Sequence, residues 1–96
     1  MRVQVAFNNV NPSVALKDFV IKRSEKLMKF LKSSEHLDWV FDFKNKHFQP
    51  HLNIFLNGRL VSVQSQADNP YVAASQVLEK AERVLNKRHA KLSKLH

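Results

Sequence analysis

Leu52-Asn53-Ile54-Phe55-Leu56-Asn57-Gly58-Arg59-Leu60-Val61-Ser62-Val63 is the stretch that decides the fold. Leu52, Ile54 and Leu56 alternate with Asn53 and Phe55, the period-two pattern of a strand with one buried face. Asn57-Gly58 is the strongest short hairpin signal, and it uses the chain's single glycine. Beyond it, Val61, Val63, Ser65 and Ala67 share one face, and Leu60, Ser62, Gln64 and Gln66 the other. A one-residue slip would turn every side chain over, so the hairpin fixes which faces meet the core.

Towards the N-terminus, Leu37, Trp39, Phe41 and Phe43 alternate with Asp38, Asp42 and Lys44 and predict another strand; a polar connection over 45–50 joins it to the hairpin. Val3, Val5 and Phe7 alternate with Arg2, Gln4 and Ala6 and predict an opening strand. Between these two strands the period changes. Leu16, Phe19, Val20, Leu27, Phe30 and Leu31 recur at about 100° per residue, which predicts one helix from Pro12 to Lys32. Towards the C-terminus, Asn69-Pro70 is an N-cap followed by proline at the first helical position. A long helix is expected from Pro70 towards Leu95, with Ala74, Val77, Leu78, Ala81, Val84, Leu85 and Leu92 as its apolar stripe. The order is β-α-β-β-β-α, an α+β fold. A right-handed crossover makes the first two strands parallel neighbours, and the rest form an antiparallel meander. A four-stranded mixed sheet with two helices packed on one face satisfies every apolar surface.

The 96 residues suffice for one domain, read as 1–96, and are too few for two. Sixteen Lys and Arg against eight Asp and Glu give a net charge of +8. Such a field selects a polyanion: nucleic acid first, an anionic membrane second. The absence of cysteine excludes a disulfide framework and a thiolate metal site, and fits a reducing cytoplasm. No apolar run approaches the roughly 20 residues of a membrane span, and the N-terminus alternates where a signal peptide would be apolar. A cytoplasmic chain with no membrane contact is expected.

The placement of charge sharpens this. On the second helix, Lys80, Arg83, Lys87, Lys91 and Lys94 recur at three and four residues, which puts them on one side, opposite the apolar stripe. Glu79 and Glu82 lie off that line. On the first helix, Lys22, Arg23, Lys26 and Lys29 form a second band flanking the apolar face, with Arg23 at the rim where the helices meet. Packed side by side, the two bands are expected to make one positive surface. Like charges at i, i+4 destabilise a helix by roughly 0.2–0.5 kcal/mol per pair, so a helix selected only for solubility would mix Glu with Lys. Phosphate binding accounts for the pattern. Arg88 and His89 interrupt the apolar stripe, as if the helix overhangs the sheet and turns its inner face to solvent or a ligand. Arg88 is counted with the other nine as RNA-binding.

No catalytic constellation emerges. His36, His47, His51, His89 and His96 show no metal-ligand spacing on a regular element, and Asp38 and Asp42 are four apart on the polar face of a strand. Ser75 and Ser93 lack a base and an elbow motif, and there is no glycine-rich phosphate loop. Neither enzyme activity, a metal nor a cofactor is expected. Tyr71 is read as a packing residue that could stack on a base, and Trp39 as core.

Taken in order, several segments resemble a known family. Asn8-Asn9-Val10, Ala15-Leu16-Lys17-Asp18-Phe19-Val20, Arg23 and Lys26-Leu27 resemble the first helix of ribosome hibernation promoting factors, also called sigma-54 modulation proteins. Asn57-Gly58 and Asp68-Asn69-Pro70-Tyr71-Val72-Ala73-Ala74 resemble the family's hairpin and second helix start, and Glu79-Lys80, Arg83, Leu85, Lys87, Lys91-Leu92 and Lys94 its basic C-terminal helix. Ser75 stands where the family usually has aspartate, Ala74 and Ala81 where it has larger aliphatics, and Asn69-Pro70 where the cap is usually acidic. The resemblance implies a short-form monomer that binds the small ribosomal subunit and its 16S-type rRNA near the decoding site. It implies exclusion of messenger and transfer RNA, silencing of translation in stationary or stressed cells, and ribosome dimerisation with a second ribosome modulation factor as a further partner.

Two other readings compete. A general double-stranded RNA-binding domain shares the helices-on-sheet layout, but its basic motif opens the last helix, whereas Lys87-Arg88-His89-Ala90-Lys91 lies near the end of this one. A structural module associating through the exposed sheet face would use Phe55 and Leu60 as anchors.

Overall fold

The computed structural model describes residues 3–93, and the side chains of residues 3–88. Strands β1 (Val3–Phe7), β2 (His36–Lys44), β3 (His47–Leu56) and β4 (Arg59–Gln64) form one sheet in the order β1-β2-β3-β4. β1 runs parallel to β2, with Val5 opposite Trp39, and the other pairs are antiparallel. Helices α1 (Val14–Ser24) and α2 (Pro70–Ser93) complete the β-α-β-β-β-α order as expected.

The core lies between the sheet and the helices. Leu37, Trp39 and Phe41 of β2 and Leu52, Ile54 and Leu56 of β3 turn inward, against Leu16 and Val20 of α1 and Ala74, Val77, Ala81 and Leu85 of α2. Small residues on α2 are matched by large ones on the sheet, which keeps the interior dense. Trp39 is 1% exposed, and its Nε1 donates to Ser24 Oγ at 3.0 Å, so the polar end of the indole is satisfied inside the core.

Three local features differ from the sequence reading. The first helix does not run unbroken from Pro12 to Lys32. It is capped by Ser13, whose Oγ accepts from Leu16 N at 3.2 Å, and passes at Glu25 into a 3-10 helix ending at Phe30. With three residues per turn, Ser24, Leu27 and Phe30 fall on one inward face. The stretch 45–50 is not a connection: β3 begins at His47, and Asn45-Lys46 alone make the turn, both in the left-handed region (φ 53° and 64°) as a type I′ hairpin requires. Pro50 fits inside β3 because its carbonyl, and hence its missing N–H, faces Ser65, just past the end of β4. β4 likewise stops at Gln64, and pairing resumes only at the bridge between Phe48 and Ala67.

The second helix starts where the sequence placed it. Asn69 Oδ1 accepts from Tyr71 N at 2.8 Å and from Val72 N at 3.3 Å, satisfying two helix-start donors.

Candidate nucleic-acid interface

The basic residues of α1 and its 3-10 extension, Lys22, Arg23, Lys26 and Lys29, are all exposed. The Arg23 guanidinium lies 5.0 Å from the centroid of the Phe19 ring, and Lys29 Nζ lies 5.1 Å from that of Phe30. Both contacts hold a cation at the surface without neutralising it. Arg23 sits at the seam between the helices, as expected: with Lys26 it lines a groove whose α2 wall includes Ser75, Leu78, Glu79 and Glu82.

On α2, Lys80, Arg83 and Lys87 are exposed. Phased at about 100° per residue on the buried Ala74, Val77, Ala81 and Leu85, Arg83 stands nearly opposite the apolar stripe, as expected, whereas Lys80 and Lys87 fall roughly a third of a turn to one side. That side overhangs β4, because Lys80 Nζ donates to the Gln64 carbonyl at 2.9 Å. Glu79, Arg83 and Asn86 occupy the outermost line, and Glu79 and Glu82 flank Arg83. The two basic bands are therefore interrupted by acidic residues. The α1 band and the pair Lys80 and Lys87 lie on either side of a ridge that carries Glu79, Glu82 and, between them, Arg83, because the rotation of α2 is set by its buried residues. The side chain of Lys91 and the whole of Lys94 lie outside the described residues.

Arg88 behaves differently from the rest of the set. It meets neither solvent nor a ligand as its main partner: Nη1 and Nη2 donate to Glu35 Oε1 and Oε2 at 3.1 and 2.9 Å. The Glu35 side chain is fully buried and that of Arg88 is 21% exposed. Glu35 also accepts from Lys32 N at 2.8 Å and Asn57 N at 2.9 Å. Burial pushes this carboxyl up, but the Arg88 hydrogen bonds, the two backbone donors and the Arg88 charge outweigh it and bring its pKa down to about 2. The expected overhang is thus a bidentate anchor that fixes the far end of α2 to the turn before β2 and to the tip of the β3–β4 hairpin. The interruption of the apolar stripe at Arg88 was the only local trace of it.

The other polar groups read as structural. Asp42 accepts from Phe43 N at 2.8 Å and from Asn9 Nδ2 at 3.2 Å. The Phe43 amide, then Asn9 and the charges of Lys44 and His51, hold its carboxyl below the usual range against the opposing effect of burial. His47 Nδ1 lies 2.8 Å from Asp68 Oδ1, and the His36 ring stacks on Phe55 at 4.5 Å. Among the described residues no three His, Asp or Glu side chains gather as a metal site, and no helix is long and apolar enough to cross a membrane.

Comparison with known proteins bears on this interface. No curated protein sequence matches the chain. Two solved structures share its fold with a TM-score of 0.79 each. The N-terminal domain of Protein Y from Thermus thermophilus is 19% identical, over 91% of this chain and 98% of that one. A ribosomal subunit interface protein from Coxiella burnetii is 20% identical, over 94% and 99%. The model of one family, described as Sigma 54 modulation protein / S30EA ribosomal protein, matches residues 3–93, which is the full described length. The chain belongs to the Sigma 54 modulation protein / S30EA ribosomal protein family.

Proposed function

We propose that this protein is a ribosome hibernation factor. It binds the small ribosomal subunit near the decoding site, holds rRNA phosphates with its basic residues and excludes messenger and transfer RNA. The observation that carries this is the combination of family membership over residues 3–93 with two exposed basic bands on the helical face. A subunit-interface protein among its structural neighbours supports the same reading. Inhibition by occupancy needs no catalytic group, so the protein is read as a non-enzyme acting stoichiometrically in the cytoplasm, in stationary or stressed cells. Ribosome dimerisation, aided by a second modulation factor, is the further step in this reading.

The two bands, Lys22, Arg23, Lys26 and Lys29 on one side and Lys80 and Lys87 on the other, with Arg83 on the ridge between them, would meet separate runs of phosphate. About five phosphate contacts predict a loss of several hundred-fold in affinity for small subunits between ~50 and ~200 mM salt. Arg83→Gln with Lys87→Gln removes two charges from α2. Gln4→Glu with Ser62→Glu changes net charge by the same amount on the sheet face that no helix covers. In a sedimentation titration the first pair should lose far more affinity, and its salt slope should fall by nearly two contacts. Equal losses would mean that only the overall field matters, and would sink the interface.

A further inference from the structure

At one end of the molecule the start of α1, the start of α2 and the β2–β3 hairpin surround a cleft of about 370 Å³. Its walls include the rings of Phe43, Phe48 and Tyr71 together with Pro70, and its rim carries the side chains of Asn9 and Asn11. The volume falls within the roughly 300–1,000 Å³ of small-molecule sites. Resting on the RNA-binding reading above, we propose that this cleft receives a single unpaired nucleobase of the RNA that the basic bands hold.

The first support is where apolar surface has been left uncovered. Among the described residues the large exposed hydrophobics are Val14, Phe43, Leu60, Tyr71 and Val72. Two of them, Phe43 and Tyr71, line the cleft, and Val14 and Val72 lie in the first turns of the two helices whose starts border it. Scattered exposed apolar residues need no explanation, but a cluster around a concavity does. Phe43 and Phe48 meet edge to face at 5.0 Å, which leaves ring surface of Phe43 facing outward.

The second support is continuity with the basic band of α1. Tyr71 packs edge to face on Phe19 at 5.1 Å, and Phe19 in turn lies under the Arg23 guanidinium at 5.0 Å. A chain of ring contacts therefore runs from the cleft to a residue of the interface. A backbone tracked by Arg23 would pass within reach of the cleft mouth.

The chemistry of the lining selects the occupant. A nucleobase has two apolar faces, which stack on aromatic rings, and an edge of donors and acceptors. The Asn9 amide is partly used by Asp42, whereas the exposed Asn11 carries an amide donor and acceptor that no side chain among the described residues engages. An apolar protein anchor would fill the walls but leave those rim amides unmatched, at a desolvation cost. Neither helix has an acidic residue in its first turn, and the Asp42 carboxylate behind the rim is held by Asn9 Nδ2 and the Phe43 amide.

The test uses the full chain. In an NMR titration, adenosine 5′-monophosphate should shift the ring resonances of Phe43, Phe48 and Tyr71 and the amide of Asn11, while ribose 5-phosphate at the same concentration should not. Shifts with ribose 5-phosphate alone would make the site a phosphate contact, and shifts with N-acetylphenylalaninamide alone would make it a protein-docking site. Either result overturns the proposal. In small-subunit titrations, Phe43→Leu and Tyr71→Leu should each weaken binding about ten-fold with an unchanged salt slope, and Tyr71→Phe should restore it. Wild-type affinity in both leucine variants overturns the base pocket and leaves ribosome binding standing. Ring shifts with the nucleotide but no binding to subunits would overturn the ribosome reading and retain the pocket. Melting curves of the variants separate lost stacking from lost folding.

Discussion

Replacing Glu35 with alanine deprives four donors of their acceptor at once: Lys32 N, Asn57 N and the two Nη groups of Arg88. Removing one partner of a buried ion pair costs about 3–5 kcal/mol, because the other charge stays in the interior without compensation. Arg88 is 21% exposed and can turn partly to water, so about 3 kcal/mol is expected. Titration leads to a similar figure. The fall of the Glu35 pKa from 4.5 to about 2 corresponds to roughly 2–3 kcal/mol after allowance for screening at the partly exposed Arg88. Because the folded value lies below the unfolded one, this stabilisation is complete above about pH 4.5 and is lost as pH falls towards 2. Against a total stability of about 5–15 kcal/mol for a domain of this kind, the effect is large. Urea unfolding followed by Trp39, the single tryptophan and a buried one, measures it directly. Glu35→Gln should fall between wild type and Glu35→Ala, since its amide NH2 must face a donor. Arg88→Met should also cost about 3 kcal/mol, while Glu35→Leu with Arg88→Met should recover only the part due to the unpaired charge, because Lys32 N and Asn57 N still lose the Glu35 acceptor. A Glu35→Ala protein destabilised by less than about 1 kcal/mol, with unchanged behaviour between pH 4.5 and 2, would refute the anchor.

Two further outcomes follow from backbone geometry. Asn69→Ala should cost about 0.5–2 kcal/mol by leaving Tyr71 N and Val72 N unpaired, with small-subunit affinity of the folded protein nearly unchanged; intact stability with collapsed affinity would make Asn69 a contact residue. Lys46→Gly should raise stability by about 0.5 kcal/mol in the same unfolding assay, because φ 64° strains a residue with a Cβ and the relief exceeds the added chain entropy; a loss would show that the Lys46 side chain contributes to folding.

The β-α-β-β-β-α order was legible because each element carries its own period, and the Asn57-Gly58 hairpin locks two of the periods together. The cap at Asn69 was legible because capping is decided within three residues. The start of β3 was hidden: Pro50 reads as a strand breaker, and only the tertiary structure shows that it faces the point where β4 ends, so that its missing N–H interrupts no continuing ladder. The switch from α1 to the 3-10 helix was hidden too, since Leu27 and Phe30 suit either period. Of the basic residues with described side chains, the sequence placed Lys22, Arg23, Lys26, Lys29, Lys80, Arg83 and Lys87 at the surface, and Arg23 at the helix seam, but did not reveal Arg88 as an internal anchor.

Most of the apolar core was thus determined by the sequence alone, through spacing, because its burial depends on a local face repeating along one element; the burial of Glu35 and the exposure of Phe43 were not. What each charge meets was decided only by the tertiary structure. Arg88 and Glu35 are 53 residues apart, and no periodicity links them. The glutamates that divide the two basic bands depend on how far α2 is rotated over the sheet, and that rotation is fixed by the packing of Ala74, Val77, Ala81 and Leu85 beneath it. Packing is local in space and not in sequence, so a charge's partner becomes defined only when the core has closed.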